Sequence, residues 1–293
     1  MLRHIKEDKG KYLEIIRNRP FGILTGFPSL DDMIRGIRPK YHIIAARPSV
    51  GKTSLGVNIA VTAAIKGHKI LFFSIEMGQE DLIERILANL SGVNSRSIAN
   101  DLVEEEDADM LELAKESMAD LDIYVDYSSS QTPNKIRTRI KELKLKHSFV
   151  PDMVIIDYLQ YMKTDSGHSG NDKEAIDEIS RELARIVKDL EIPVIALAQL
   201  RRKENHGKKA DEEAKPRLSE LKGSGNLEQD ADIVVLIHRK DYNKEREQSC
   251  FDHSSAEIKN AEFIISKNRQ GPCGSITISW LPEIFKFTEP KGE

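Results

Sequence analysis

From Tyr41 onward, short apolar runs alternate with segments of helical periodicity, and few folds satisfy that pattern. Tyr41–Ala45, Lys69–Ser74, Ile123–Val125, Met153–Ile156, Val194–Ala198 and Ile233–Ile237 are strand-sized and almost wholly apolar at their centres. Between them, Thr53–Lys66, Glu80–Leu90, a segment opened by Glu104–Asp109, Asn134–Lys146 and Glu174–Leu190 repeat apolar residues at helical spacing. Strands without polar alternation, joined through helices, predict a doubly wound α/β domain. Its sheet is mostly parallel and is covered by helices on both faces. Ala261–Ser266 and Ser275–Trp280 follow one another across Gly271-Pro272, which predicts antiparallel strands at the C-terminal end. Leu2, Ile5, Leu13 and Ile16 share one helical face ahead of Pro20 and Gly22, so residues 1–19 read as a separate leading helix and 20–293 as the main domain.

Composition excludes several classes. Lys and Arg number 44 against 48 Asp and Glu, a net charge of −4, so the chain is not basic throughout in the manner of a histone. No apolar run approaches the ~20 residues of a membrane span, and the first residues lack the apolar core of a signal peptide. The 2 cysteines, Cys250 and Cys273, form no metal-ligand spacing and read as free thiols of a reducing, cytoplasmic setting.

The segment Ala46-Arg47-Pro48-Ser49-Val50-Gly51-Lys52-Thr53-Ser54 follows a strand and opens a helix. It fits the phosphate-loop pattern GxxxxGK[ST] except that Ala46 replaces the first glycine. Backbone N–H groups of such a loop cradle phosphate, Lys52 would reach the β- and γ-phosphates of ATP, and Thr53 would offer an oxygen to Mg²⁺. Asp157 ends an apolar strand and is the candidate second Mg²⁺ group. Tyr158 follows it, so no carboxylate on that strand can activate water. Glu76 is the candidate instead, because the strand Lys69–Ser74 should run beside the nucleotide strand. Gln199, at the end of another strand, is a candidate sensor of the γ-phosphate.

In chain order, GILTGFPSLDDMIRG, AARPSVGKTS, FFSIEMG, VIIDYLQ, ALAQLRR, SGNLEQDADIVVLIHR and SKNRQGP resemble the bacterial replicative helicase family of DnaB type. The likeness covers about residues 20–282 and is to the RecA-like C-terminal motor domain. It implies that Lys52 and Thr53 are the phosphate-loop pair, Glu76 the catalytic glutamate, Asp157 the Mg²⁺ aspartate and Gln199 the γ-phosphate sensor. It further implies that Lys267 and Arg269 form a basic finger pair acting on ATP held by the adjacent subunit of a hexameric ring. Residues 1–19 resemble the linker helix that docks on that neighbour. Primase and a helicase loader are partners implied by the same likeness. The family's separate N-terminal domain has no counterpart here, and Met1 followed at once by the linker-like stretch is expected where such a domain has been cut away.

Two stretches are locally basic. Lys135–Lys146 carries six basic residues against Glu142 alone, on a helix whose Ile136, Ile140 and Leu143 share a face; it is either a solvated outer face or a phosphate contact. Gln199–Lys222 carries eight basic against five acidic residues. By resemblance, Lys222, Gly223, Ser224, Gly225 and Asn226 form a channel loop gripping single-stranded DNA, with Arg201 and Arg202 as weaker candidates. Glycines let main-chain N–H groups approach phosphates closely. No aromatic residue interleaves the basic ones, so backbone contacts with little sequence preference are expected. Two alternatives stay open at this point: a RecA-like recombination or signalling ATPase that assembles without unwinding, and a non-catalytic binding module.

Overall fold

The computed structural model describes residues 20–167, 172–200, 214–221, 226–240 and 258–290. The expected leading helix, Arg201, Arg202, Lys222, Gly223, Ser224, Gly225 and Cys250 lie outside them. Helix α1 (Pro28–Ile34) precedes strand β1 (Tyr41–Ala46), α2 (Lys52–Ile65), β2 (Ile70–Ser74), α3 (Gln79–Ser91), α4 (Ser95–Ala99) and α5 (Glu105–Ala119). Next come β3 (Ile123–Asp126), α6 (Pro133–His147), β4 (Met153–Asp157), α7 (Asp172–Leu190) and β5 (Val194–Gln199). A short helix α8 (Leu227–Asp230) leads to β6 (Ile233–His238), β7 (Lys259–Asn268), β8 (Gly274–Leu281) and β9 (Lys286–Thr288).

The nine strands of the described residues form one sheet in the order β3-β2-β4-β5-β1-β6-β7-β8-β9. Strands β1 to β6 are parallel, and β7, β8 and β9 add in antiparallel fashion, as the sequence predicts. The period-2 geometry of a strand explains why the runs lack polar alternation. On β1, Ile44 and Ala46 enter one core with Leu55 and Ile59 of α2 and Leu82 and Ile86 of α3. The intervening Tyr41, Ile43 and Ala45 enter a second core with Ile140 and Leu143 of α6 and Leu183 and Ile186 of α7. Both faces are dry, so both must be apolar.

One expectation fails here. Strand β2 does not run beside β1; β4 and β5 lie between them, and β2 pairs with β3 and β4. The basic helix α6 packs as its periodicity predicts. Its apolar face is buried, Arg139 Nε lies 2.8 Å from Asp126 Oδ2, and Arg137 Nη2 lies 2.7 Å from Asp189 Oδ2. The opposite face is solvated, with part of its charge neutralised locally. Cys273 is an exposed free thiol.

His42 on β1 gives the fold an acid weakness. Burial pushes its imidazole down to about 4, and the neutral ring hydrogen-bonds Arg38 O at 3.2 Å through Nε2. The folded value lies below the unfolded value near 6.5, so below pH 6.5 the unfolded chain gains a proton that the folded chain does not. Stability should fall by about 3 kcal/mol between pH 6.5 and 4 through this residue. His42→Gln should flatten that part of a denaturant-melting series against pH; an unchanged slope would show that other groups carry it.

Candidate nucleotide site

The phosphate loop lies at the carboxyl end of β1, between β5 and β6. Ala46 aligns with Gln199 on one side and Ile237 on the other. The chain then turns through Ser49, at φ 61, and Gly51, at φ 115, before entering α2. Gly51 is the residue before the helix and supplies no side-chain cap, so the first N–H groups of α2 stay open to an anion. A Cβ at Gly51 would also stand 2.8 Å from the Phe287 ring, so the loop needs glycine there for space as well as conformation. A cavity of about 480 Å³ opens above this turn, lined by Ala46, Arg47, Pro48, Ser49, Gly51, Lys52, Thr53 and Ser54 from the loop. Glu76, Met77, Asp81, Arg85, Gln199, Trp280 and Phe285 complete the lining. Val50 instead packs into the core.

Register brings the carboxylates in. Ser74 on β2 aligns with Asp157 on β4, and the N–H groups of Ile75 and Glu76 donate to Asp157 O at 2.8 and 3.3 Å. Glu76 thus reaches the cavity through β4 rather than through contact with β1. Asp157 is fully buried. Its Oδ2 accepts from the Thr53 hydroxyl at 2.7 Å, while Oδ1 faces the Lys52 ammonium at 2.9 Å without an aligned hydrogen bond. Lys52 Nζ is also 3.5 Å from Glu76 Oε2 and 3.6 Å from the centre of the Tyr158 ring. Lys52 therefore lies folded onto both carboxylates.

These residues fit Mg²⁺. Among the described residues no group of three or more His, Cys, Asp or Glu could hold a metal unaided. Mg²⁺ bound through one carboxylate, a hydroxyl and substrate phosphates needs no such group. The under-satisfied Oδ1 of a buried aspartate, beside a threonine hydroxyl, matches that donor set.

Gln199 is held from the turn after β4. Gln160 Nε2 donates to Gln199 O at 3.0 Å, and Gln199 N–H donates to Gln160 Oε1 at 3.1 Å. Five lining residues, Met77, Asp81, Arg85, Trp280 and Phe285, escaped the sequence reading. Arg85 donates to Ser54 Oγ at 3.2 Å and stacks on Phe285 at 4.1 Å; burial pushes its guanidinium below the usual value, against the pull of Asp157. Trp280 and Phe285 add aromatic edges to the lining, Trp280 packed on the Phe287 ring at 4.3 Å between centres. Arg85 follows Asp81 by one helical turn, a spacing that faced it toward the cavity once Asp81 was placed there. The aromatic pair gave no local signal.

Lys267 and Arg269 are not at this cavity. Asn268 aligns with Ile233, which aligns with His42 at the start of β1, whereas the cavity lies beyond Ala46. Four strand steps separate those levels, roughly 13 Å. There Lys267 Nζ donates to Glu228 O and to Gln229 O, and Arg269 pairs with Asp232 Oδ1 at 3.2 Å and with Gln229 O. Burial, then the Arg269 charge, push the Lys267 ammonium below its usual value. Asn226, the described end of the expected channel loop, donates from its N–H to Asp177 Oδ1 on α7 at 3.2 Å.

The family model described as the DnaB-like helicase C terminal domain matches residues 22–289. The chain belongs to that family. The DnaB-like domain is 37% identical over 268 residues to the replicative DNA helicase DnaC of Bacillus subtilis (strain 168), covering 91% of this chain and 56% of that protein. It is 36% identical over 280 residues to the replicative DNA helicase DnaB of Geobacillus stearothermophilus, covering 94% and 59% respectively. It thus spans little more than half the length of these curated relatives. Among solved structures, an ATPase domain superposes with a TM-score of 0.85 at 30% identity, over 99% of this chain and 100% of that one. A DnaB-like replicative helicase, solved in a study of its interactions with primase, superposes at 0.83 with 30% identity, over 99% and 68%. The fold is therefore the RecA-like one of DnaB-type ATPase domains. The recombination or signalling alternative receives no support from these matches. Among the described residues no helix is long and apolar enough to cross a membrane.

Proposed function

We propose that this DnaB-like domain is the motor of a replicative DNA helicase. It hydrolyses ATP with Mg²⁺ at the subunit interfaces of a homo-hexameric ring, moves along single-stranded DNA in the 5′-to-3′ direction and separates the duplex. The observation that supports this reading is that the residues proposed as one catalytic set lie at two ends of the sheet. Lys52, Thr53, Asp157, Glu76 and Gln199 meet at one cavity, whereas Lys267 and Arg269 stand at the far end, out of reach within one chain. In this reading a second copy supplies them through head-to-tail contacts, which form a ring where the rotation between copies closes.

Each residue then has a task. The loop N–H groups and Lys52 bind the phosphates, with Lys52 exchanging Asp157 for phosphate oxygen. Thr53 and Asp157 would hold Mg²⁺, which when bound neutralises charge across the β- and γ-phosphates. Glu76 orients and deprotonates the attacking water. Gln199 contacts the γ-phosphate, and its loss is passed to the connection that Gln199 begins. Arg269, assisted by Lys267, offsets transition-state charge from the neighbouring chain. Lys222, Gly223, Ser224, Gly225 and Asn226, with Arg201 and Arg202, hold the strand's phosphates. Residues 1–19 serve as the linker docking on the adjacent copy, primase and a loader are the protein partners, and the cytoplasm is the setting.

The test is a forked duplex with a single-stranded 5′ tail, incubated with ATP and Mg²⁺ under conditions where the chain assembles. Strand separation should require ATP. Binding of the tail should weaken with salt by about 0.7 in log–log slope per phosphate contact. DNA-stimulated ATP turnover by assembled chains without strand separation would replace this reading with an assembling ATPase that does not unwind.

A further inference from the structure

Arg47 leaves the end of β1 and lines the nucleotide cavity. Its Nη2 lies 3.2 Å from Glu220 Oε2, and the two side chains are only 17% and 3% exposed. Glu220 belongs to a single 3-10 turn, Leu218–Leu221. Its second oxygen accepts from the Arg217 N–H at 3.2 Å, and its own N–H donates to Arg217 O at 2.8 Å. The carboxylate therefore both shapes this turn and ties it to the phosphate loop. The same segment is strapped at its other end, where Lys215 Nζ lies 2.6 Å from Glu262 Oε1 on β7. Residues 215–221 thus cross from the antiparallel half of the sheet to the phosphate loop, with a charge pair at each end.

We propose that Arg47 is shared between Glu220 and the phosphates of the nucleotide, which makes Glu220 a positioning residue that couples nucleotide state to DNA affinity. The proposal rests on the reading above, in which the residues following Leu221 hold single-stranded DNA. A guanidinium presents a planar fork that suits carboxylate and phosphate alike. Nucleotide brings negative charge into the loop that Arg47 belongs to. That charge attracts Arg47 and repels the Glu220 carboxylate, so the pair loosens when phosphate is present and tightens when it leaves. A solvated pair would register little of this, but one withdrawn from water is weakly screened. The turn Leu218–Leu221 is then biased by contacts that differ between nucleotide states, as any transmitted change requires. Gln199 starts the connection between β5 and β6, and Glu220 fixes a point near its end. Gln199 acts from the end of β5, and Glu220 acts through Arg47, which follows β1.

The coupling must be reciprocal, because a ligand that alters affinity for a second is altered by it equally. The experiment uses the full chain, a labelled oligothymidylate and Mg-ADP. The Kd of each is measured with and without saturating amounts of the other. The wild-type chain should show a shift of about 5- to 150-fold, equal in both directions. Glu220→Gln should bring both shifts to within about twofold of none, with DNA-free ATP turnover kept. A half-broken buried pair can destabilise a chain. Arg47→Gln with Glu220→Gln, which removes both members of the pair, therefore repeats the binding measurements and should also lose the shift. Wild-type coupling retained in either variant overturns the proposal, as does a wild-type chain that binds both ligands without coupling. A wild-type chain that binds no oligothymidylate or hydrolyses no ATP instead overturns the helicase reading beneath it.

Discussion

Lys52→Ala chains and Arg269→Ala chains should each be almost inert as ATPases, and mixing them should restore turnover. Lys52→Ala removes the ammonium that stands 2.9 Å from Asp157 and would reach the phosphates. Arg269→Ala leaves the cavity untouched, since Arg269 stands at the opposite end of the sheet. Loss of an arginine finger lowers turnover by about 10³–10⁵. In a mixture, an Arg269→Ala chain offers an intact cavity and a Lys52→Ala neighbour offers an intact finger. Random head-to-tail pairing at equal ratio makes roughly a quarter of interfaces whole. Recovered activity should therefore approach that share of the wild-type rate when the ratio is balanced, and fall on either side. Sedimentation with ATP and single-stranded DNA establishes that the mixture is assembled. No recovery at any ratio, in assembled mixtures, would mean that one chain completes its own site.

In isolation Arg269 is engaged, through Asp232 and the Gln229 carbonyl. Service to a neighbour requires exchanging these contacts for phosphate oxygen. The carbonyl it holds belongs to α8, which directly follows the expected channel loop. A finger that lets go of α8 when it meets the neighbour's nucleotide would link one chain's chemistry to its own hold on DNA.

How much of this was legible beforehand depended on whether the signal was local. The phosphate loop was readable because the strand end, turn and helix start are contiguous, and each has its own backbone requirement. Asp157 and Gln199 were readable as polar residues closing apolar strands; Gln199 lines the cavity, and Asp157 is buried behind the lining residue Thr53. Glu76 was placed at the cavity by an argument whose premise fails. Strand β2 is separated from β1 by β4 and β5. Strand order depends on which side of the sheet each crossover takes, and periodicity carries no record of that. The charge of α6 could not be interpreted from sequence because Asp126 and Asp189, which neutralise part of it, lie on other elements. The short elements α1, α4, α8 and β9 have too few residues to show a period. The pairing of Arg47 with Glu220, 173 positions apart, has no sequence signature at all.

Glu76→Gln should separate chemistry from binding. Its carboxylate lies 3.5 Å from Lys52 Nζ, and its side chain is 40% exposed, so water reaches it. The amide keeps the shape but cannot take a proton, and removing a general base costs about 10²–10⁴ in rate. Turnover should fall by that factor while the Kd for Mg-ADP stays within about threefold, because no phosphate or metal contact is assigned to Glu76. Asp157→Asn should behave differently. It replaces the fully buried group that meets both Thr53 and Lys52, so affinity for Mg-ADP should weaken together with turnover. Equilibrium binding and steady-state turnover on both variants distinguish the two roles. If Glu76→Gln turns over near the wild-type rate, another group handles the water. If it loses Mg-ADP affinity as Asp157→Asn does, Glu76 is a ligand of the metal–nucleotide complex rather than the base, and the division of labour between β2 and β4 has to be redrawn.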